Sequence, residues 1–300
     1  MPALSIHSLT KKYNSHPRVD AISFDVPRGV ICGFVGPNGS GKTTTMRMLL
    51  GLVKPSSGSA EILGCPLTEP SSYLAKVGAM IEGPAFYPKL SAHKNLQYLQ
   101  RVSGARVDHG SIEEALARVG LAGRGQENYR GFSLGMKQRL GIAAALMSAP
   151  ELLILDEPTN GLDPVGAREI RELIIELAQQ GFTIFISSHL LEELELMCDY
   201  FVMIDAGRIA FAGSARTLRS AQEQTLVVQP EYDVDLSLLV HLALNQGYLT
   251  RVENEYLQIF QTRDQGAEFN RLASEAGITL KHLQITTPSL AQIFFKAQRE

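Results

Sequence analysis

Apolar residues along the chain gather in short continuous runs, each ending at turn or polar residues and followed by a stretch of helical periodicity. Residues 30–50, VICGFVGPNGSGKTTTMRMLL, pass from an apolar strand through a glycine loop into a helix. ELLILDEP, residues 151–158, is a run of the same kind, and GFTIFISSH, residues 181–189, is a third. Strands apolar on both faces belong to a parallel sheet covered by helices. Between the last two runs Ile170, Leu173, Ile174 and Leu177 recur at helical spacing, with Glu169, Arg171, Glu172 and Glu176 interspersed. That pattern predicts a crossover helix over 165–180 with one wet face.

The middle of the chain, from about 84 to 147, lacks comparable strands. Its patterns NLQYLQRV and IEEALARVGL are helical, which predicts a helical subdomain inserted between strands of the sheet. Beyond residue 220 the character changes again: QTLVVQP, YLTRVE and EYLQIFQT read as short strands, LSLLVHLALNQG and AEFNRLASEAG as helices. The expected organisation is a first domain over 1–220 and a small α+β domain over 221–300. At its end TTPSLAQIFFKAQ places Leu290, Ile293 and Phe294 on one face of a terminal helix.

Composition narrows the class of molecule. A chain of 300 residues with 45% apolar and 20% charged residues has ample material for a buried core. The runs at 152–155 and 182–186 are far shorter than the roughly 18 apolar residues of a membrane span. The opening MPALSIHSLTKKYN holds no continuous apolar block of the secretory kind, so the chain is expected to stay in the cytoplasm. Cys32, Cys65 and Cys198 are far apart and form no CxxC pair, which reads as three small buried hydrophobes in a reducing compartment. A net charge of −3 lacks the basic excess of a nucleic-acid binder. Residues 221–300 carry −4 against +1 for the rest, so the tail domain is no better suited to nucleic acid.

The chemistry begins at Gly36, Pro37, Asn38, Gly39, Ser40, Gly41, Lys42 and Thr43, which fit GxxxxGK[ST] between an apolar strand and a helix. Glycines at this spacing let backbone N–H groups surround a phosphate, and the helix adds its positive N-terminal end. Lys42 then reaches the β- and γ-phosphates, the Thr43 hydroxyl ligates Mg2+, and Thr44 continues the site into the helix. Asp156 and Glu157 stand together at the end of the apolar strand 152–155. Beside a phosphate loop, Asp156 reads as a Mg2+ partner and Glu157 as the general base that polarises water.

The block FSLGMKQRLGIAAALMSAPELLILDEPTNGLDP, residues 132–164, resembles the signature-to-D-loop region of ATP-binding cassette (ABC) ATPases. In that family the signature usually reads LSGGQ. Here Phe132, Ser133, Leu134, Gly135 and Met136 stand in those places, and Ser133 and Gly135 are kept. The resemblance extends to Asp163 in the D-loop, His189 as the switch histidine and Tyr13 as the aromatic expected on adenine, and covers roughly residues 3–220. It implies an α/β P-loop NTPase fold, a RecA-like sheet core with a helical subdomain, and a site that takes ATP and Mg2+. It also implies a homodimer in which the Ser133–Gly135 segment, far from its own phosphate loop, serves ATP held by the partner copy, with His189 on the γ-phosphate.

Where the family usually has a glutamine that touches Mg2+ and the attacking water, VGAMIEGPAFYP has Glu82. A glutamate there resembles the exporter cassettes of bacitracin resistance and lantibiotic immunity. The alternative for Glu82 is a solvated loop acid. Phe86, Tyr87 and Leu90 then stand where a permease docks, or in the core of the insert, and the tail resembles the accessory domain behind drug-exporter cassettes. The expectation is the ATPase subunit of an exporter for a peptide antibiotic, drug or other amphiphile. It would work at the cytoplasmic face of the membrane and touch the bilayer only through a separate transmembrane permease. The alternative is a soluble cassette ATPase of translation or DNA repair.

Overall fold

A computed structural model describes every residue of the chain except 105, 221–224, 261–265 and 287–300, together with the side chains of 218–220. Leu290, Ile293 and Phe294 of the expected terminal helix lie outside the described residues. The chain divides into two units, Met1–Ala215 and Arg216–Glu300.

The centre of the first unit is a six-stranded sheet. Its order is Arg208–Ser214, Tyr200–Asp205, Ile31–Val35, Thr183–Ser188, Leu152–Asp156 and Val77–Met80. The last five strands run parallel and the first pairs antiparallel at the edge. Ile31–Val35, Leu152–Asp156 and Thr183–Ser188 are buried at every position, which is why each reads as an unbroken apolar run. The crossover helix spans Pro164–Gln179 and buries Ile170, Leu173, Ile174 and Leu177.

A second sheet, unread in the hydropathy pattern, is antiparallel and ordered His16–Val26, Leu4–Tyr13, Ser57–Ile62 and Cys65–Pro66. Register shifts in the first hairpin interrupt the period-two alternation that would have betrayed it. Phe24 of this sheet packs on Phe34 and Phe185 of the central one, with ring centroids 5.8 and 6.2 Å away and 5.1 Å between the latter two. Such pairs add about 0.5–1.5 kcal/mol each beyond area burial, and they lock one sheet against the other. Cys32 and Cys198 are buried, and burial pushes both thiols well up; Cys65 departs from the expectation and is only half-buried.

Helices Ala92–Val102, His109–Arg118 and Leu134–Leu146 build the insert between strands Val77–Met80 and Leu152–Asp156. Ser91 caps the first and Asp108 the second through their side chains. Phe86 is half-buried edge-on against Tyr129 at 5.3 Å, whereas Tyr87 is exposed and meets Tyr98.

The second unit runs strand Thr225–Pro230, helix Leu236–Asn245, strands Leu249–Glu253 and Tyr256–Phe260, helix Gly266–Glu275 and strand Leu280–Thr286. Taken in chain order, the four strands lie second, third, first, fourth across an antiparallel sheet, the split βαβ arrangement of ferredoxin-like folds. Leu226, Val228, Leu257 and Ile259 from the sheet meet Leu239, Ala243, Phe269 and Ala273 from the helices in a core of its own.

Candidate nucleotide site

The phosphate loop lies between Ile31–Val35 and helix Lys42–Leu49, at the carboxyl ends of the parallel strands. Two of its glycines are required by geometry. Gly41 has φ +113°, a conformation that L side chains rarely adopt, and a Cβ on Gly36 would stand 2.1 Å from the Ile204 carbonyl oxygen. Gly41 also gives the helix an N-cap without a side-chain acceptor, so no side chain occupies the N–H groups of its first turn. Ser40 Oγ is buried and has no hydrogen-bond partner among the described residues.

Lys42 is almost wholly buried, 6% exposed, an unusual place for an ammonium group. It donates to the carbonyls of Gly36 at 2.7 Å and Pro37 at 3.3 Å, and its Nζ lies 3.4 Å from Glu157 Oε1. The other carboxylate oxygen of Glu157 is 2.7 Å from His189 Nδ1. Glu157 has φ +49°, left-handed backbone in a non-glycine residue. That costs about 1–2 kcal/mol, and the Glu157 amide is held by donating to Ser187 Oγ at 3.0 Å. Ser187 in turn donates to Asp156 Oδ1 at 2.5 Å, while Thr43 Oγ1 donates to Asp156 Oδ2 at 2.8 Å.

Thr43 and Asp156 therefore present two hard oxygens to one spot. Mg2+ is typically bound by one or two protein oxygens completed by substrate phosphates and water, and this donor set fits it. A cavity of about 300 Å³ is lined by Asn38, Gly39, Gly41, Lys42, Thr43, Thr44, Glu157 and His189 of the expected set. It is also lined by Arg18 and Asn160, which no motif had marked.

The remaining expected residues stand elsewhere. Tyr13 is half exposed in the first hairpin, with the Lys11 ammonium 5.1 Å above its ring, and does not line that cavity. Ser133 caps helix Leu134–Leu146 by accepting from the Met136 amide at 3.2 Å, and Asp163 caps Pro164–Gln179 by accepting from the Gly166 amide at 2.8 Å. Neither Ser133, Gly135 nor Asp163 reaches the Lys42 cavity. The signature helix is not wholly remote from its own phosphate loop, however. Leu134, Lys137 and Gln138 line a neighbouring cavity of about 460 Å³ that Thr43, Glu82, Asp156, Glu157 and Asn160 also face. Glu82, at φ +60° and exposed, faces that cavity while its carboxylate pairs with Arg47 of helix Lys42–Leu49.

A parallel sheet with a glycine loop opening onto an uncapped helix, a buried lysine in that loop and an acid pair at the end of the strand two places away defines a P-loop nucleotide-binding protein. The ABC transporter family model matches residues 19–160. The chain is 39% identical over 290 residues to the bacitracin transport ATP-binding protein BcrA of Bacillus licheniformis, covering 96% of this chain and 94% of that one. It is 42% identical over 206 residues to the lantibiotic transport ATP-binding protein SrtF of Streptococcus pyogenes, 69% of this chain and 88% of the relative. An ATP-binding cassette of an ABC transporter solved in its ADP conformation superposes with a TM-score of 0.67 over 72% of this chain and 92% of its own, at 21% identity, a likeness of fold. The chain belongs to the ATP-binding proteins of ABC transporters, a family of ATPases coupled to transport. Among the described residues no helix is long and apolar enough to cross a membrane.

Proposed function

We propose that this protein hydrolyses MgATP as a homodimer and drives a separate membrane permease that exports a peptide antibiotic or similar amphiphile. The observation that carries the hydrolytic reading is the Lys42–Glu157–His189 chain of contacts, 3.4 and 2.7 Å long, inside the phosphate-loop cavity. The Lys42 ammonium meets Glu157 and two loop carbonyls. A triphosphate entering the loop offers it stronger partners, and that exchange frees a Glu157 carboxylate to accept the proton of an attacking water. His189 stays against Glu157 through Nδ1 and turns its other ring nitrogen toward the γ-phosphate.

Mg2+ held by Thr43 and Asp156 would neutralise charge on the phosphates. Ser187 bonds both Asp156 and the Glu157 amide, so it keeps the two acids in register. Ser133, Gly135 and Asp163, outside the Lys42 cavity of their own chain, act on nucleotide held by the second copy. Tyr13 stacks on adenine. The exposed Tyr87, beside Tyr98, is a contact for the permease, which holds the protein at the cytoplasmic face of the membrane. Residues 1–220 are assigned to the cassette and 221–300 to an accessory domain, a boundary five residues beyond the division after Ala215.

The export reading rests on the two relatives named for bacitracin and lantibiotic transport and on Glu82; those names also favour transport over a role in translation or DNA repair. It is tested in cells carrying the permease. The wild-type protein is expected to raise the inhibitory concentration of bacitracin or a lantibiotic, and Glu157→Gln to abolish the rise. Equal protection by both would overturn the reading.

A further inference from the structure

Among the described residues Arg18 is the one arginine lining the phosphate-loop cavity. The register of the first hairpin explains how it arrives there. Lys12 pairs with Pro17 and Lys11 with Val19, so Arg18 is the extra, unpaired residue of a bulge. Bulges beside binding sites re-aim a side chain that the regular pleat would send elsewhere. The Arg18 backbone is also pressed against the site from two sides. A Cβ on Gly41 would stand 2.8 Å from the Arg18 carbonyl oxygen, and one on Gly207 would stand 3.0 Å from it. The guanidinium reaches the loop itself, with its two terminal nitrogens 3.7 and 3.9 Å from where a Cβ would stand on Gly39.

Neighbouring cations are engaged: Arg208 pairs with Asp20 at 2.8 Å, and Lys11 donates to the Lys54 carbonyl at 2.7 Å. The Arg18 side chain is exposed, and among the described residues its guanidinium makes no hydrogen bond or ion pair. The other strong cation of the cavity, Lys42, is already offset by Glu157. A polyphosphate brings several negative charges into a space where, among the described residues, the unpaired positive charge is Arg18, and a guanidinium forks onto phosphate oxygens in two directions at once.

We infer that Arg18 is a second phosphate-binding cation of this site. The inference rests on the ATP-binding reading of the same cavity. Its test compares the wild-type protein, Arg18→Gln, Arg18→Lys and Lys42→Ala by titration calorimetry with MgATP, MgADP and inorganic tripolyphosphate, each at two salt concentrations. Arg18→Gln is expected to weaken all three about five- to twentyfold, the modest end of what a charge-assisted contact on an exposed side chain yields. The salt dependence should flatten, Arg18→Lys should recover much of the loss, and ligand-free melting should be unchanged. Undiminished binding by Arg18→Gln, beside a wild type whose MgATP binding Lys42→Ala removes, overturns this inference alone. Loss confined to the nucleotides, with tripolyphosphate unaffected, overturns it too, because the guanidinium then serves sugar or base. A wild type that binds no MgATP overturns the underlying reading as well.

Discussion

Three helix beginnings, at Lys42, Leu134 and Pro164, stand at residues that the resemblance to ABC ATPases assigns to nucleotide, and they are built differently. Helix Lys42–Leu49 starts from Gly41, which offers no side chain to cap it. Helices Leu134–Leu146 and Pro164–Gln179 start from Ser133 and Asp163, whose side chains already accept one amide each. A helix N-terminus has four unsatisfied N–H groups, and a cap removes one from the supply. In the proposed function the uncapped end takes phosphate within its own chain, whereas the capped ends, already satisfied by their own side chains, meet nucleotide of a second copy. The lesson is that two kinds of helix start, one capped and one open, can carry motif residues of the same family, so the motif alone does not say which N–H groups are free.

Lys42→Ala attacks the prepared end and carries the largest expected effect. It removes the charge beside the uncapped turn, and MgATP affinity should fall on the order of a hundredfold or more, read by calorimetry. Unchanged affinity would erase the distinction between the two kinds of helix start. Gly41→Ala should act in the same direction by another route, because a Cβ at φ +113° stands 2.8 Å from the Arg18 carbonyl. Both binding and thermal stability should drop in that variant.

The capped ends separate stability from activity. Ser133→Ala and Asp163→Ala each remove one cap and should each cost about 1 kcal/mol of stability, measured by denaturant unfolding. If Ser133 also serves a second copy, its variant should lose ATPase activity beyond what that destabilisation explains. A mixture of inactive Ser133→Ala and Lys42→Ala proteins should then recover part of the activity, since one composite site can be intact. No recovery would make Ser133 a cap and nothing more.

Much of this was legible in the chain because it follows local rules. The strands at Ile31–Val35, Leu152–Asp156 and Thr183–Ser188 announce themselves by being apolar on both faces, and the phosphate loop by glycines between strand and helix. Pairing across distance was not legible. Arg18 enters the site through a register shift in a hairpin, and Ser187 joins Asp156 to Glu157 from the neighbouring parallel strand. Neither residue type nor spacing marks them. Glu82 was visible as a departure from a pattern, but its partner Arg47 lies 35 residues away on the phosphate-loop helix.

That pair gives the smallest expected effect. Glu82 and Arg47 are both accessible, and such pairs contribute about 0–1 kcal/mol. Glu82→Gln should leave the steady-state ATPase rate of the isolated subunit within about threefold while lowering resistance in cells that carry the permease. A fall in hydrolysis as deep as that of Glu157→Gln would make Glu82 part of the bond-breaking machinery instead.

The central claim, that an ATP site prepared in one copy is completed by the capped helices of another, is tested most directly by sedimentation of Glu157→Gln with and without MgATP. Removing the general base should slow hydrolysis by about 10²–10⁴ while Lys42, Thr43 and the uncapped turn still hold the nucleotide. The account predicts a monomer without nucleotide and a stable dimer with MgATP, the dimer disappearing when Ser133→Ala is added to the same chain. A protein that binds MgATP at full affinity and remains a monomer would contradict it.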